Sequence, residues 1–138
     1  MFGFGNKKNN ETQIFALANQ KGGVGKTTTT LNLGCAIAGA GESVLIIDLD
    51  PQGNASTGLG INKDDREFSS YDILTGEKDI NQIKMETVVD NLHIVPSTLD
   101  LLGLEAVLSN DNDEIEQLSK LPASIIPVLI LALPLASN

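Results

Sequence analysis

Residues 19–30 read NQKGGVGKTTTT: three glycines and two lysines ahead of a run of threonines, set between two apolar segments. No other stretch restricts the fold as strongly. Gly22, Gly23 and Gly25 let the backbone take conformations closed to other residues, so successive N–H groups can turn inward on an anion. The residues before them, 13–18 (QIFALA), form a short apolar run that predicts a buried strand. Those after them, 27–39, carry Leu31, Leu33, Cys35, Ile37 and Ala38 and close on Gly39 and Gly41, which predicts a helix with a glycine stop. Residues 43–49 (SVLIIDL) are a continuous β-branched and leucine run, the pattern of a strand buried on both faces. Strand, glycine loop, helix and strand together span about one βαβ unit. Its crossover should be right-handed and its strands parallel.

The generic phosphate-loop pattern G-x-x-x-x-G-K-[ST] fails at its first position, because Lys21 stands one place before Gly22. What is present is K-G-G-V-G-K-T-T. The physics of a phosphate cradle still fits. The backbone from Gly22 through Val24 to Gly25 supplies N–H donors, and the helix from about residue 26 adds its positive end. Lys26 can reach between the β- and γ-phosphates of a nucleotide, the Thr27 hydroxyl is placed for Mg²⁺, and Thr28 for the α-phosphate. The alternative, a plain Gly/Lys turn between strand and helix, does not explain why spacing, residue types and flanking elements all agree. A second motif, Asp48-Leu49-Asp50-Pro51-Gln52-Gly53-Asn54, ends the second strand, where ligands sit in open α/β sheets. Two acids spaced i, i+2 point to the same side of a strand. The alternative is a pair of strand-end acids facing solvent.

Downstream, residues 51–67 read as a polar loop, and 70–84 as two short helical pieces around Gly76. Residues 91–95, closed by Pro96, predict a third strand. Residues 98–108 repeat leucines at helical spacing with Ser97 as N-cap. Residues 112–121 predict a helix with acids in its first turn. The single histidine, His93, falls in the strand pattern and is expected to be structural. Residues 121–138 hold no charged side chain and three prolines. That stretch is too short and interrupted for a membrane span, and its prolines oppose one long helix. It predicts either a buried strand around 125–131 or an exposed apolar tail prone to aggregation. Residues 1–12 read as a polar leader without the apolar core of a signal peptide.

Charge is divided unevenly. The net charge is −9; residues 1–60 hold four acids and four bases, while 61–138 hold fourteen acids and five bases. A nucleic-acid face needs clustered Lys or Arg, and the chain has one arginine, Arg66. The acidic half reads as a solvated surface. The one cysteine, Cys35, excludes an internal disulfide and cannot build a zinc or iron–sulfur site alone, so a reduced cytoplasmic setting is expected.

The stretch from Lys21 to Thr28 resembles the deviant Walker A motif of the ParA/MinD family of ATPases. The resemblance implies a P-loop NTPase-like three-layer α/β fold with a mostly parallel sheet, ATP and Mg²⁺ as ligands, and an ATP-dependent sandwich homodimer. In such a dimer Lys21 would reach across to the phosphates of the partner's ATP. By the same resemblance Lys26 and Asp50 join Lys21 as catalytic residues, Asp50 orienting or activating the attacking water. Asp48 would face the Mg²⁺ region through water or Thr27. The run D-x-D-P-Q-G-N is similar to the chromosome- and plasmid-partition members of ParA/Soj type rather than to MinD, whose basic amphipathic membrane helix residues 121–138 do not match. The nitrogenase iron-protein relatives need paired cysteines. Similarity continues through 53–61 (GNASTGLGI), 71–74 (YDIL), 92–98 (LHIVPST) and 99–109 (LDLLGLEAVLS), covering roughly residues 12–120. It implies partition of chromosome or plasmid origins, with a ParB-like partner, non-specific DNA binding in the intact family member and no membrane.

The chain also departs from that family. The resemblance requires, after the helix near residue 120, a strand ending in Asp-Cys-Pro-Pro-Ser-Leu or similar, whose Asp helps hold Mg²⁺. The last acid here is Glu116. The expected organisation is therefore a leader over 1–12, the N-terminal part of a ParA-type domain over 13–120, and an apolar tail over 121–138. Read one base early, Ile125 and Ile126 can become tyrosines and Ile130 an aspartate, so a frameshift near residue 121 is one expectation for the tail. The rival to an ATPase is a fragment that at most binds phosphate or nucleotide without turnover. A further rival is an inert, unstable fragment with an exposed sheet edge.

Overall fold

The computed structural model describes residues 13–19, 25–103 and 128–134. Its centre is a five-stranded sheet. Strand β1 (Gln13–Asn19) leads to the glycine loop, helix α1 (Lys26–Gly39) follows it, and β2 (Val44–Asp48) returns to the sheet. Helix α2 (Asn54–Gly58), a 3-10 turn at Lys63–Asp65, α3 (Ser70–Leu74) and α4 (Ile80–Ile83) precede the short β3 (Met85–Glu86) and β4 (Leu92–Val95). The last strand, β5 (Val128–Pro134), inserts between β1 and β2, giving the order β1-β5-β2-β4-β3. All pairs are parallel except β3 with β4. The mostly parallel three-layer arrangement expected from the sequence is present.

Strand β2 explains the layering. Val44, Leu45, Ile46 and Ile47 are each at most 1% exposed, and burying each contributes about 1.5–3 kcal/mol. Side chains alternate along a strand, so the two faces take different partners. Val44 and Ile46 join Ile37 and Ala38 of α1, Ala55 of α2 and Leu59 beyond it. Leu45 and Ile47 pack with Ile80 and Ile83 of α4 and with Ile73 and Leu74 of α3. Helix α1 buries Thr30, Gly34, Ile37 and Ala38, a single stripe at helical spacing. Gly34 brings it close: a Cβ there would stand 3.0 Å from Ile46 Cδ1. The buried Thr30 hydroxyl donates to the Lys26 carbonyl at 2.9 Å, so it costs no unpaired polar group.

Several expectations are refined. The two helical pieces around Gly76 are α3 and α4, and each begins with a reciprocal capping box, Ser69 with Asp72 and Asp79 with Gln82. The loop over 51–67 contains α2 and the 3-10 turn, and β3 was not foreseen. The third strand is β4, with half-buried His93 opposite Leu45 and Glu86. The apolar tail supplies a strand, shifted to 128–134 from the expected 125–131. Ser97 is not a helix N-cap. The next helical turn begins at Leu101, and the Leu101 N–H donates to the Thr98 carbonyl, while Ser97 is occupied elsewhere. The leader over 1–12 and the helix over 112–121 lie outside the described residues, as does the part of 98–108 beyond residue 103.

Candidate functional site

Parallel strands bring their C-terminal ends to one edge of a sheet, and here that edge carries both sequence motifs. In β5, Ala132 lies opposite both Leu17 and Asp48, and Pro134 lies opposite Asn19. The glycine loop leaving β1 and the acidic loop leaving β2 thus start about 10 Å apart, separated by one intervening strand.

At the first loop, Gly25 is the N-cap of α1, with φ 84° and ψ 23°. This left-handed conformation favours glycine, and a Cβ at Gly25 would meet nothing within 4 Å. No side chain caps the helix, and its first turn holds no acid. The Gly25 carbonyl already accepts from the Thr29 N–H at 2.9 Å, so the helix is well formed from its first turn. Lys26 and Thr27 are half-buried and Thr28 is exposed. An α-helix leaves its first N–H groups without intrahelical partners, and the positive end of its dipole attracts an anion. The donor set therefore suits a phosphate. Lys21, Gly22, Gly23 and Val24 lie outside the described residues.

The second loop is built from the inside. Asp48 has no solvent exposure. Its Oδ1 accepts from the Asp50 N–H at 3.1 Å. Its Oδ2 accepts from both the N–H and the hydroxyl of Ser56, at 2.9 and 2.7 Å. Burial pushes the Asp48 carboxyl above its ordinary value of 3.8, and the neighbouring Asp50 adds to this, while the bonds from Ser56 and the Asp50 backbone oppose it. Asp50 is half-buried; its Oδ1 accepts from the Gln52 N–H and its Oδ2 from the Asn54 amide, both at 3.0 Å. Asp48 thus anchors the loop to α2, and Asp50 stands at its rim.

Three residues that sequence reasoning missed complete this loop. Ser56 holds Asp48, and its hydroxyl accepts from the Ser97 N–H at 3.2 Å. The Ser97 hydroxyl donates to the Asp50 carbonyl. Arg66 is buried and donates to the Ser97 carbonyl, the Thr57 hydroxyl and the Ile61 carbonyl. The one available signal was that Arg66 is the only arginine. Among the described residues no group of three or more His, Cys, Asp or Glu could hold a metal ion, and none of the helices is long and apolar enough to cross a membrane. A P-loop site needs no such cluster, since Thr27 and phosphate oxygens can supply the ligands.

Comparison with known proteins agrees with this geometry. A family model described as AAA domain matches residues 12–126. The chain is 50% identical over 99 residues to the chromosome partitioning protein ParA of Caulobacter vibrioides, covering 72% of this chain and 37% of that protein. It is 52% identical over 96 residues to the sporulation initiation inhibitor protein Soj of Bacillus subtilis, covering 70% and 38%. The chain spans less than half the length of these relatives. Among solved structures, a cobyrinic acid a,c-diamide synthase from Mycobacterium smegmatis with bound ADP and magnesium superposes with a TM-score of 0.80 at 34% identity, covering 89% of this chain and 51% of that one.

Proposed function

From the premise that this chain belongs to the AAA domain family, as one of its ParA/Soj-type P-loop proteins, we propose that it binds ATP with Mg²⁺ at the head of α1 and serves chromosome or plasmid partition. The observation that carries this reading is the uncapped, acid-free N-terminus of α1 set on the same sheet edge as Asp50. The backbone from Gly22 to Gly25 would cradle the phosphates with Lys26 and Thr28. Thr27 would hold Mg²⁺, with Asp48 toward the same region. When bound, the ion supplies charge neutralisation on the phosphate oxygens. Asp50 would orient the attacking water, and its half-buried rim position suits a carboxylate that must meet solvent. Lys21 would act in trans in an ATP-dependent homodimer, delivering positive charge where the transferring phosphoryl group develops negative charge. A ParB-like partner, non-specific DNA binding by the full-length relatives and a cytoplasmic location complete the proposal. The test is MgATP binding to the 138-residue chain, read as a shift of thermal unfolding. Saturation at about 100-fold above Kd should stabilise it by roughly 2.7 kcal/mol, and Lys26→Ala should abolish the shift. No shift in the unaltered chain would overturn the proposal.

A specific observation favours a second reading, binding without turnover. The strand that arrives between β1 and β2 reads Val-Leu-Ile-Leu-Ala-Leu-Pro, with Ala132 opposite Asp48 and no acid along it. The carboxylate that the resemblance requires at the end of such a strand has no counterpart in β5. Single-turnover assays separate the two readings: phosphate release that is lost in Asp50→Asn supports hydrolysis, and bound but intact ATP supports the second reading.

A further inference from the structure

The buried arginine is the feature that the site leaves unexplained. Arg66 is 8% exposed. Its Nη2 donates to the Ile61 carbonyl at 2.7 Å and the Thr57 hydroxyl at 2.9 Å, and its Nη1 to the Ser97 carbonyl at 3.3 Å. All three acceptors are neutral, and the Nε is buried without a hydrogen-bond partner. Such burial of a guanidinium is unfavourable beside an apolar side chain of similar volume, so simple packing does not account for it. The contacts do. Ser97 is engaged at every polar group: its carbonyl accepts from Arg66, its N–H donates to the Ser56 hydroxyl and its hydroxyl to the Asp50 carbonyl. The same Asp50 carbonyl accepts from the Gly53 N–H at 2.8 Å. Arg66 also lies directly over Gly53, where a Cβ would fall 2.2 Å from Nη1. The guanidinium thus closes the loop from above while Ser97 ties it from the end of β4.

We propose that Arg66 is a positioning residue for Asp50, acting through Ser97 to fix the Asp50 backbone and hence the direction of its carboxylate. This rests on the reading of Asp50 as the residue that orients water. Asp50 is held by a partner 47 positions away, and that partner by an arginine 31 positions before it. Hydrogen bonds thus tie the loop, helix α2 and the end of β4 to one another.

Amide hydrogen exchange followed by NMR tests the idea on the full chain. Gln52 and Gly53 both donate to Asp50, so they report its position. Ser97→Ala should raise exchange at both about tenfold, the effect of losing one hydrogen bond, and leave Ile46 of β2 and Ile94 of β4 unchanged. Arg66→Met should do the same, and Arg66→Lys should fall between it and the unaltered chain. In a chain that turns over, Ser97→Ala should lower kcat about tenfold with the Kd for MgATP within about twofold. Unchanged exchange at Gln52 and Gly53 in Ser97→Ala overturns the proposal. So does a rise matched at Ile46 and Ile94, which marks general loosening. Should Arg66→Met not fold, Arg66→Lys and Ser97→Ala decide. Asp50→Asn run alongside tests the underlying reading separately: full turnover in that variant removes the water-orienting role, while the exchange pattern still decides whether Arg66 and Ser97 hold the loop.

Discussion

At the head of α1 no side chain caps Gly25 and no acid enters the first turn. At the loop after β2, across one strand, the protein supplies partners from α2, the end of β4 and Arg66. One loop has its polar groups satisfied from within; the other offers donors suited to an anion from outside. Most buried polar groups find partners within the protein, whereas the first N–H groups of a helix have none within the helix itself. Substitutions in the first loop should therefore change binding more than stability, and in the second the reverse.

Asp48→Leu should destabilise the protein most severely. It leaves the buried Ser56 N–H and hydroxyl without their acceptor, at a cost of about 3 kcal/mol in urea unfolding. A loss under about 1 kcal/mol would mean that the loop is held elsewhere. Gly53→Ala comes next. Its φ of +65° and the Arg66 Nη1 standing 2.2 Å from any Cβ both oppose a side chain, and about 2 kcal/mol should be lost. A smaller effect is pH-dependent. A carboxyl whose folded pKa is raised binds its proton more tightly in the folded state, so its contribution to stability falls as pH rises from 3.8 toward the raised value. The urea midpoint of Asp48→Asn should therefore decline less steeply with rising pH across that window than that of the unaltered chain; equal slopes would contradict the assignment to Asp48. Smallest in stability is Lys26→Ala, at under about 1 kcal/mol, yet it should lose the whole MgATP-induced shift. A variant that unfolds early instead would place Lys26 in the scaffold.

What could be read from the sequence was what local pattern decides. The β2 run, the α1 stripe ending near Gly39 and the two helical pieces around Gly76 each follow from spacing within a dozen residues. The paired motifs at Lys26 and Asp50 were visible because glycine and acid spacing is itself local. The clamp was not. Ser97 looks like an N-cap because a serine before a leucine-rich stretch carries the same local signal in either role, and only the Asp50 carbonyl 47 residues away decides. Arg66 counted as one base in an acidic half, because its three acceptors lie on α2, after α2 and after β4. The tail could be narrowed only to strand or exposed segment, since its apolar run fits both until neighbouring strands are known.

The insertion of β5 between β1 and β2 bears on how the chain comes together during synthesis. Among the described strands β1 pairs with β5 alone, and the two are separated by more than a hundred residues of sequence. β2, β4 and β3 can associate once residue 95 has emerged from the ribosome, but β1 stays unpaired until β5 follows it out. Among the described strands, the one that leads into the glycine loop therefore gains its partner after β2, β4 and β3 can pair. Such long-range parallel pairing is slow and leaves apolar surface uncovered in the interval.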